Sequence, residues 1–84
     1  MNDTQFKKGI LPLCVLSILA NKGDCYGYEI TTLVSEELNV NAATIYLILN
    51  RFVEMGYLTV YVVNQEKRPQ RKYYHLNSIT EINP

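Results

Sequence analysis

Four of the eight basic side chains in this sequence lie within six consecutive positions. They are Lys67, Arg68, Arg71 and Lys72, and they surround a proline in an otherwise polar stretch. Mobile cations on a projecting loop are the groups with which proteins bind phosphates. A solvated loop whose charges only keep a protein soluble has the same composition. The cluster alone leaves both interpretations open.

Residues that could support other chemistry are few. A single histidine, His75, and two cysteines, Cys14 and Cys25, form no metal-ligand pattern. No nucleophile–base pair, carboxylate pair or metal set can be assembled around one histidine. We therefore predict no enzyme, no metal site and no cofactor.

Length and composition limit the class of protein. The chain of 84 residues is 48% hydrophobic and 19% charged, and we predict one globular domain over residues 1–84. Its formal net charge of zero excludes a uniformly basic nucleic-acid-binding domain. No apolar run reaches the roughly 18 residues that a membrane span requires. We therefore expect a cytoplasmic protein with no membrane partner.

Hydrophobic periodicity predicts three helices. They cover about residues 10–21, 28–38 and 42–55. Pro12 suits the first turn of the first helix, whereas an earlier start near Thr4 would place the proline inside the helix and kink it. Asn41 is a favourable N-cap for the third helix, and Gly56 stands at its C-terminal end.

The period changes after the third helix. Residues 57–63 are β-branched and aromatic, which predicts a strand, and residues 71–76 alternate as a returning strand does. The polar residues 64–70 between them predict a loop. Three helices followed by this hairpin, or wing, over residues 57–76 are the order of a winged helix-turn-helix. The predicted fold class is mainly α with a small β-hairpin.

The third helix has two contrasting faces. Its apolar stripe consists of Ile45, Ile48, Leu49 and Phe52. A helix that enters a DNA major groove needs small residues near its N-terminus and amide or guanidinium groups that reach base edges. The residues that meet this description are Ala42, Ala43, Thr44, Asn50 and Arg51. An ordinary amphipathic helix would have the same outer face, and Leu47 in the middle of that face suits either a thymine methyl or a protein partner.

Five short segments together carry a family resemblance. They are GILPL at 9–13, YGYEI at 26–30, TIY at 44–46, GYL at 56–58 and RKYYHL at 71–76. In this order and spacing they resemble the PadR-like family of bacterial winged helix-turn-helix transcriptional regulators. The resemblance covers most of residues 9–76. It implies a repressor that binds double-stranded DNA, with the third helix in the major groove and the wing on the backbone.

The resemblance also implies roles for single residues. Thr44 and Tyr46 would face phosphates or base edges at the start of the third helix. Arg71 and Lys72 match a basic pair of the family and would bind phosphates. Lys67 and Arg68, at the tip of the predicted wing, are placed where a minor groove could receive them.

The sequence departs from the family pattern at several positions. Leu47 replaces a common proline, and Lys67 and Arg68 stand where glycines are common. Relatives usually continue into a long C-terminal helix that builds the dimer, so we expect a short form without that helix. Because an effector pocket of some relatives would then lack one wall, we expect no small-molecule effector.

Assembly is predicted from the apolar surface of the first helix. Two copies on a two-fold axis would read a palindromic operator. The predicted homodimer interface consists of Phe6, Leu11, Leu13, Cys14, Val15 and Ile18. The alternative function is a winged-helix module that binds another protein without specific DNA binding, and the neutral net charge and Leu47 favour it.

Overall fold

The computed structural model describes the backbone of residues 3–78 and the side chains of residues 9–78. Its elements, in chain order, are α1 (Asp3–Lys22), β1 (Cys25–Tyr26), α2 (Gly27–Leu38), α3 (Ala42–Glu54), β2 (Leu58–Val63) and β3 (Arg71–Leu76). The predicted fold class, a mainly helical winged helix-turn-helix, is confirmed. Within the described part of the chain, no helix combines the length and apolarity needed to cross a bilayer.

Helix α1 is longer than the hydrophobic pattern indicates. It begins at Asp3, seven residues before the apolar run, and it contains Pro12 in its interior. A hydrophobic period marks only the part of a helix that packs against a core, whereas the backbone hydrogen bonds need no apolar side chains. At the other end, Gly23 takes a φ of 88° and its N–H donates to the carbonyl of Leu19 at 3.0 Å, which ends the helix.

Helix α3 is fixed at its N-terminus by a side-chain cap. The Oδ1 of Asn41 accepts the backbone N–H of Thr44 at 3.0 Å, and Asn41 itself has extended backbone angles. This is the cap that the sequence predicts, and it satisfies one of the backbone donors that a helix start leaves unpaired. The result is a helix start whose direction is set by a local hydrogen bond.

The wing is part of a three-stranded antiparallel sheet. The strand order is β1-β3-β2. The sequence predicts only the two strands of the wing, and the structure adds the short strand β1 beside β3. Register aligns Tyr26 of β1 with Tyr73 of β3, and Tyr73 with Tyr61 of β2. Because side chains alternate along a strand, these three tyrosines share one face of the sheet.

The core lies between the helices and the other face of the sheet. The buried apolar side chains are Leu11, Val15, Leu19, Cys25, Ile30, Val34, Ile45, Leu49, Phe52, Leu58 and Tyr74. They come from every element, so the sheet is packed onto the helices through Cys25, Leu58 and Tyr74.

The core also corrects the predicted dimer interface. Leu11 is 4% exposed and Val15 is fully buried, so neither side chain is available to a second copy. With Leu19 they occupy positions i, i+4 and i+8 of α1, which form one stripe facing the core. The prediction was wrong for these two residues because it treated the apolar side chains of the helix as one surface. The side chain of Phe6 lies outside the described residues.

Candidate nucleic-acid interface

The outer face of α3 presents uncharged side chains to solvent over residues 42–50, and the exposed Glu54 follows in the last turn. Ala42, Ala43 and Asn50 are exposed, and Leu47 between them is 52% exposed. Spacings of three and four residues place Ala43, Leu47 and Asn50 on one face of the helix. Arg51 is also exposed and lies in the last turn. Ala42 and Ala43 give the first turn of this face the low side-chain volume that close approach to base edges requires.

Thr44 is exposed, but both of its hydrogen-bond donors already have an acceptor within the protein. Its backbone N–H and its hydroxyl both donate to Oδ1 of Asn41, each at 3.0 Å. A hydroxyl has a single hydrogen, so in this arrangement Thr44 offers a ligand only acceptor lone pairs. A phosphate oxygen is itself an acceptor. The arrangement therefore favours contacts from Thr44 to donors such as base amino groups.

The basic pair of the wing is divided between the two faces of β3. Adjacent residues of a strand point in opposite directions. Arg71 lies on the face of Tyr73, and its guanidinium carbon is 4.5 Å from the centre of the Tyr26 ring, within cation–π distance. Lys72, on the opposite face, is exposed. The two cations are neighbours in sequence but have different surroundings, since Arg71 contacts an aromatic ring and Lys72 is exposed to solvent.

The tip of the wing carries the other two cations of the cluster. Lys67 and Arg68 are exposed, and Arg68 donates its N–H to the carbonyl of Gln65 at 3.1 Å in a turn. Lys67 has a φ of 65°, in the left-handed region that favours glycine. The wing therefore keeps a tight turn without a glycine, and the strained position carries a positive charge.

An open groove joins the wing to the start of α2 and to α3; we call it the wing groove. Its walls are Tyr26, Gly27, Tyr28, Tyr46, Gln70, Arg71, Lys72 and Tyr74. Tyr46 of α3, which is 37% exposed, lies so close to Gly27 that a Cβ there would stand 2.7 Å from the ring. Any larger residue at this position would displace the ring of Tyr46. The groove thus brings together Tyr46, Arg71 and Lys72, which the sequence assigned to one interface.

The sequence does not predict that Tyr26, Gly27 and Tyr28 belong to the interface. They were recognised only as a family motif, in which the pair of tyrosines flanking a glycine was the available signal. Their role as walls of the groove depends on the pairing of β1 with β3. A strand of two residues has no period to detect.

A row of four tyrosine rings, the tyrosine row, lies behind Arg71. Tyr61 stacks on Tyr73 with ring centres 5.7 Å apart, and Tyr73 contacts Tyr26 at the same distance. Tyr26 in turn stacks on Tyr28 at 6.3 Å. Three of the rings belong to three different strands, so the row ties the sheet together across its full width.

The far end of this row is hydrogen-bonded to the loop after α1. Tyr61 donates its hydroxyl to Oδ2 of Asp24 at 2.6 Å, and the Nδ1–H of His75 donates to Oδ1 at 2.8 Å. These two hydrogen bonds, that of Tyr61 first, hold the pKa of Asp24 below its ordinary value. The same contact raises the pKa of Tyr61, because the carboxylate favours the protonated phenol.

A second groove runs between α1 and α2, on another part of the surface. Its apolar walls include Leu13, which is 65% exposed, with the half-buried Cys14 and Leu38 beside it, and Glu37 lies at its edge. Ile18 continues this surface along α1. Burial and the charge of Glu37 raise the pKa of the Cys14 thiol, which keeps it protonated. Within residues 9–78, no three His, Cys, Asp or Glu side chains are grouped as metal ligands.

Comparison with known proteins places these features in a family. Residues 15–79 match the transcriptional regulator PadR-like family. A PadR family transcription regulator from Clostridium difficile R20291 is 38% identical, with a TM-score of 0.69, and the match covers 79% of this chain and 70% of that one. A PadR-like transcriptional regulator from Bacillus cereus is 31% identical, with a TM-score of 0.74 and coverage of 87% and 72%.

One similar structure contains DNA. Bacillus subtilis PadR, solved in complex with operator DNA, is 29% identical with a TM-score of 0.68. The match covers 81% of this chain but only 40% of that one. Among curated protein sequences, none matches significantly. The family match over residues 15–79 and the shared winged-helix fold establish that this chain belongs to the PadR-like family of transcriptional regulators.

Proposed function

We propose that this chain is a sequence-specific regulator that binds double-stranded DNA and acts as a repressor. The observation that carries the proposal is the wing groove, in which Tyr46 of the third helix lies beside Arg71 and Lys72 of the wing. A helix with an exposed outer face next to phosphate-binding cations is the arrangement of a winged-helix reader. The operator complex of Bacillus subtilis PadR supports the same function here.

In this proposal α3 lies in the major groove. Ala42 and Ala43 allow its N-terminal half to approach the bases, and the amide of Asn50 is suited to pair with the N6 and N7 atoms of adenine. Leu47 contacts a thymine methyl. Arg51, at the edge of the face, reaches a guanine edge or a phosphate. Thr44, whose hydrogen is held by Asn41, accepts from a base amino group.

The wing supplies the sequence-independent part of the affinity. Arg71 and Lys72 bind backbone phosphates from the two faces of β3, and Tyr46 donates its hydroxyl to a phosphate at the other side of the groove. Lys67 and Arg68 at the wing tip lie in the adjacent minor groove. These contacts fix the position of α3 on the duplex without reading sequence.

The direct test is a gel shift on the promoter DNA upstream of the chain's own gene, with an unrelated duplex as competitor. A repressor of this kind retards the promoter fragment and reduces transcription from it in a reporter strain. Binding that the unrelated duplex removes with equal efficiency would contradict sequence specificity. Activation of the reporter would contradict repression.

We further propose a homodimer on a palindromic operator, built through α1. Among the described residues of the predicted interface, the exposed Leu13 and the half-buried Cys14 and Ile18 remain, and they lie along the groove between α1 and α2. Apolar surface left uncovered in this way favours an interface. Sedimentation at micromolar concentration should give the dimer mass, and Leu13→Glu should give the monomer mass. A wild-type monomer that protects one half-site would overturn the dimer.

A second function, a module that binds another protein, is favoured by one observation. Leu47 is half exposed in the centre of the outer face of α3, where it would interrupt a polar surface. If the folded chain does not retard duplex DNA at low salt, this second function replaces the first. Retention of binding by Leu47→Lys, with loss of preference for thymine, would argue for the DNA contact instead.

A further inference from the structure

The position of Arg71 is set by a ring that belongs to another strand. Its guanidinium carbon lies 4.5 Å from the centre of the Tyr26 ring. Arg71 precedes Tyr73 by two residues on β3, and Tyr73 is paired in register with Tyr26 of β1. The cation therefore stands diagonally across the ladder from the ring, on the same face of the sheet.

The Tyr26 ring is itself in contact with two other rings. Tyr28 stacks on it at 6.3 Å with an interplanar angle of 25°, and Tyr73 contacts it at 5.7 Å. Its backbone forms β1 and then caps the start of α2. A ring fixed by neighbouring rings and by two backbone elements is a rigid support for the side chain above it.

A rigid support changes what Arg71 contributes on binding. A free arginine on a surface loses several rotamers when it is ordered on a phosphate, and this loss opposes association. A guanidinium whose carbon already lies over an aromatic ring can still direct its N–H donors to a phosphate, which accepts from them. Part of the ordering is then complete before DNA arrives.

We propose that Tyr26 is a positioning residue for DNA binding: its ring holds the guanidinium of Arg71 at the edge of the wing groove, oriented toward a backbone phosphate. The inference rests on the proposed function, since Arg71 meets a phosphate only if the chain binds DNA. Tyr26 contributes through Arg71 and not through a contact of its own hydroxyl. The ring is therefore the essential part of the side chain.

The test is a double-mutant cycle in the full chain. Tyr26→Leu, Tyr26→Phe and Arg71→Ala are compared singly, and each Tyr26 variant is combined with Arg71→Ala. Binding to a labelled mixed-sequence duplex is measured by fluorescence anisotropy over a series of salt concentrations. Tyr26→Leu should weaken binding about three-fold, the effect of one exposed cation–π contact, and Tyr26→Phe should bind as the wild type does.

In the Arg71→Ala background, Tyr26→Leu should have no further effect. Tyr61→Leu serves as the control for loss of a ring elsewhere in the tyrosine row, because it removes the end ring with its hydrogen bond to Asp24 and does not remove the ring that contacts Arg71. Thermal unfolding of each variant shows whether it folds. A loss in Tyr26→Leu that persists without Arg71, or an equal loss in Tyr61→Leu, would overturn the assignment and indicate a general loosening of the wing.

A measurement without DNA separates the two levels of the proposal. In the free protein, the side-chain protons of Arg71 should show an upfield ring-current shift by NMR, retained in Tyr26→Phe and lost in Tyr26→Leu. Absence of this shift overturns the positioning role even if the wild type binds DNA. A wild type that shows the shift but binds no duplex at any salt concentration overturns the proposed function, and the positioning role with it.

Discussion

The outer face of α3 and the wing differ in their charge and in the contacts that set their geometry. The face of α3 is uncharged over residues 42–50, its first turn carries only short side chains, and its geometry is set by the backbone of a capped helix. The wing carries four of the eight basic side chains, and its geometry is set by the backbone pairing of β2 with β3 and by contacts between side chains, from the tyrosine row to Asp24. Arg71 is the cation that this network holds directly.

The difference suggests a division of work. Short side chains on a rigid helix suit base reading, because discrimination depends on the exact distance to a base edge. Cations on a hairpin suit phosphate binding, because the attraction is long-ranged and independent of base sequence. A neutral net charge is compatible with DNA binding when the positive charge is concentrated in this way.

The largest effect should come from removing both wing cations. Arg71→Ala combined with Lys72→Ala should weaken binding to cognate and mixed-sequence duplexes alike. The magnitude of the log–log salt slope should fall by about 2, from roughly 0.9 per lost phosphate contact. Lys22→Ala, which removes one cation from the end of α1 together with its ion pair to Glu29, is the control for loss of a cation outside the wing. An unchanged slope in the double variant would remove the wing from the interface.

Asn50→Ala tests the helix side of the comparison. Loss of an amide that reads a base should cost about 1–3 kcal/mol of binding free energy on a site selected from a random library. On mixed-sequence DNA the same change should have little effect. Competition binding measures the loss of binding free energy on each of the two duplexes. Equal losses on both would show that Asn50 positions the backbone and that α3 does not read sequence through it.

Asn41→Ala tests whether the cap supports the helix. The variant leaves the N–H of Thr44 without its side-chain acceptor, so the free energy of unfolding should fall by about 1 kcal/mol. Urea denaturation gives the value. Asn41→Asp, which retains an acceptor oxygen at the same place, should keep most of the stability. If both variants lose the same amount, the cap is not the source of the loss.

The smallest expected effect is the pH-dependent contribution of Asp24 to the stability of the fold. Its pKa is lowered in the folded state by the hydrogen bonds from Tyr61 and His75, so its contribution to stability is present above about pH 4 and is lost as the pH falls through the folded-state pKa. The midpoints of thermal unfolding of the wild type and Asp24→Asn should therefore differ near neutral pH and converge in acid. A difference that does not change with pH would show that the charge of Asp24 is irrelevant.

Residue pattern was sufficient to predict that three helices and a hairpin occur, although not where α1 begins. In α3 the apolar side chains Ile45, Leu49 and Phe52 lie on one side, and in β2 the β-branched and aromatic composition favours a strand; both patterns are visible without a structure. The Asn41 cap was also predictable, because it depends on residues three apart. Local chemistry therefore accounts for the part of the candidate site that lies on α3.

The wing groove depends on information that local pattern does not hold. β1 has two residues, and its pairing with β3 brings Tyr26 beside Arg71, 45 positions away in the chain. The close approach of Tyr46 to Gly27 joins two helices in the same way. For α1, a period could not show which apolar side chains face the core, so Leu11 and Leu13 were grouped although one is buried and the other exposed.

The tyrosine row also has an optical consequence. The chain has seven tyrosines and no tryptophan, and four of the tyrosines are stacked in this row. The electronic transitions of aromatic rings in contact are coupled. Their near-ultraviolet circular dichroism is then much stronger than that of separate rings. The protein therefore contains a built-in reporter of the contact between the wing and the rest of the domain, readable without any attached dye.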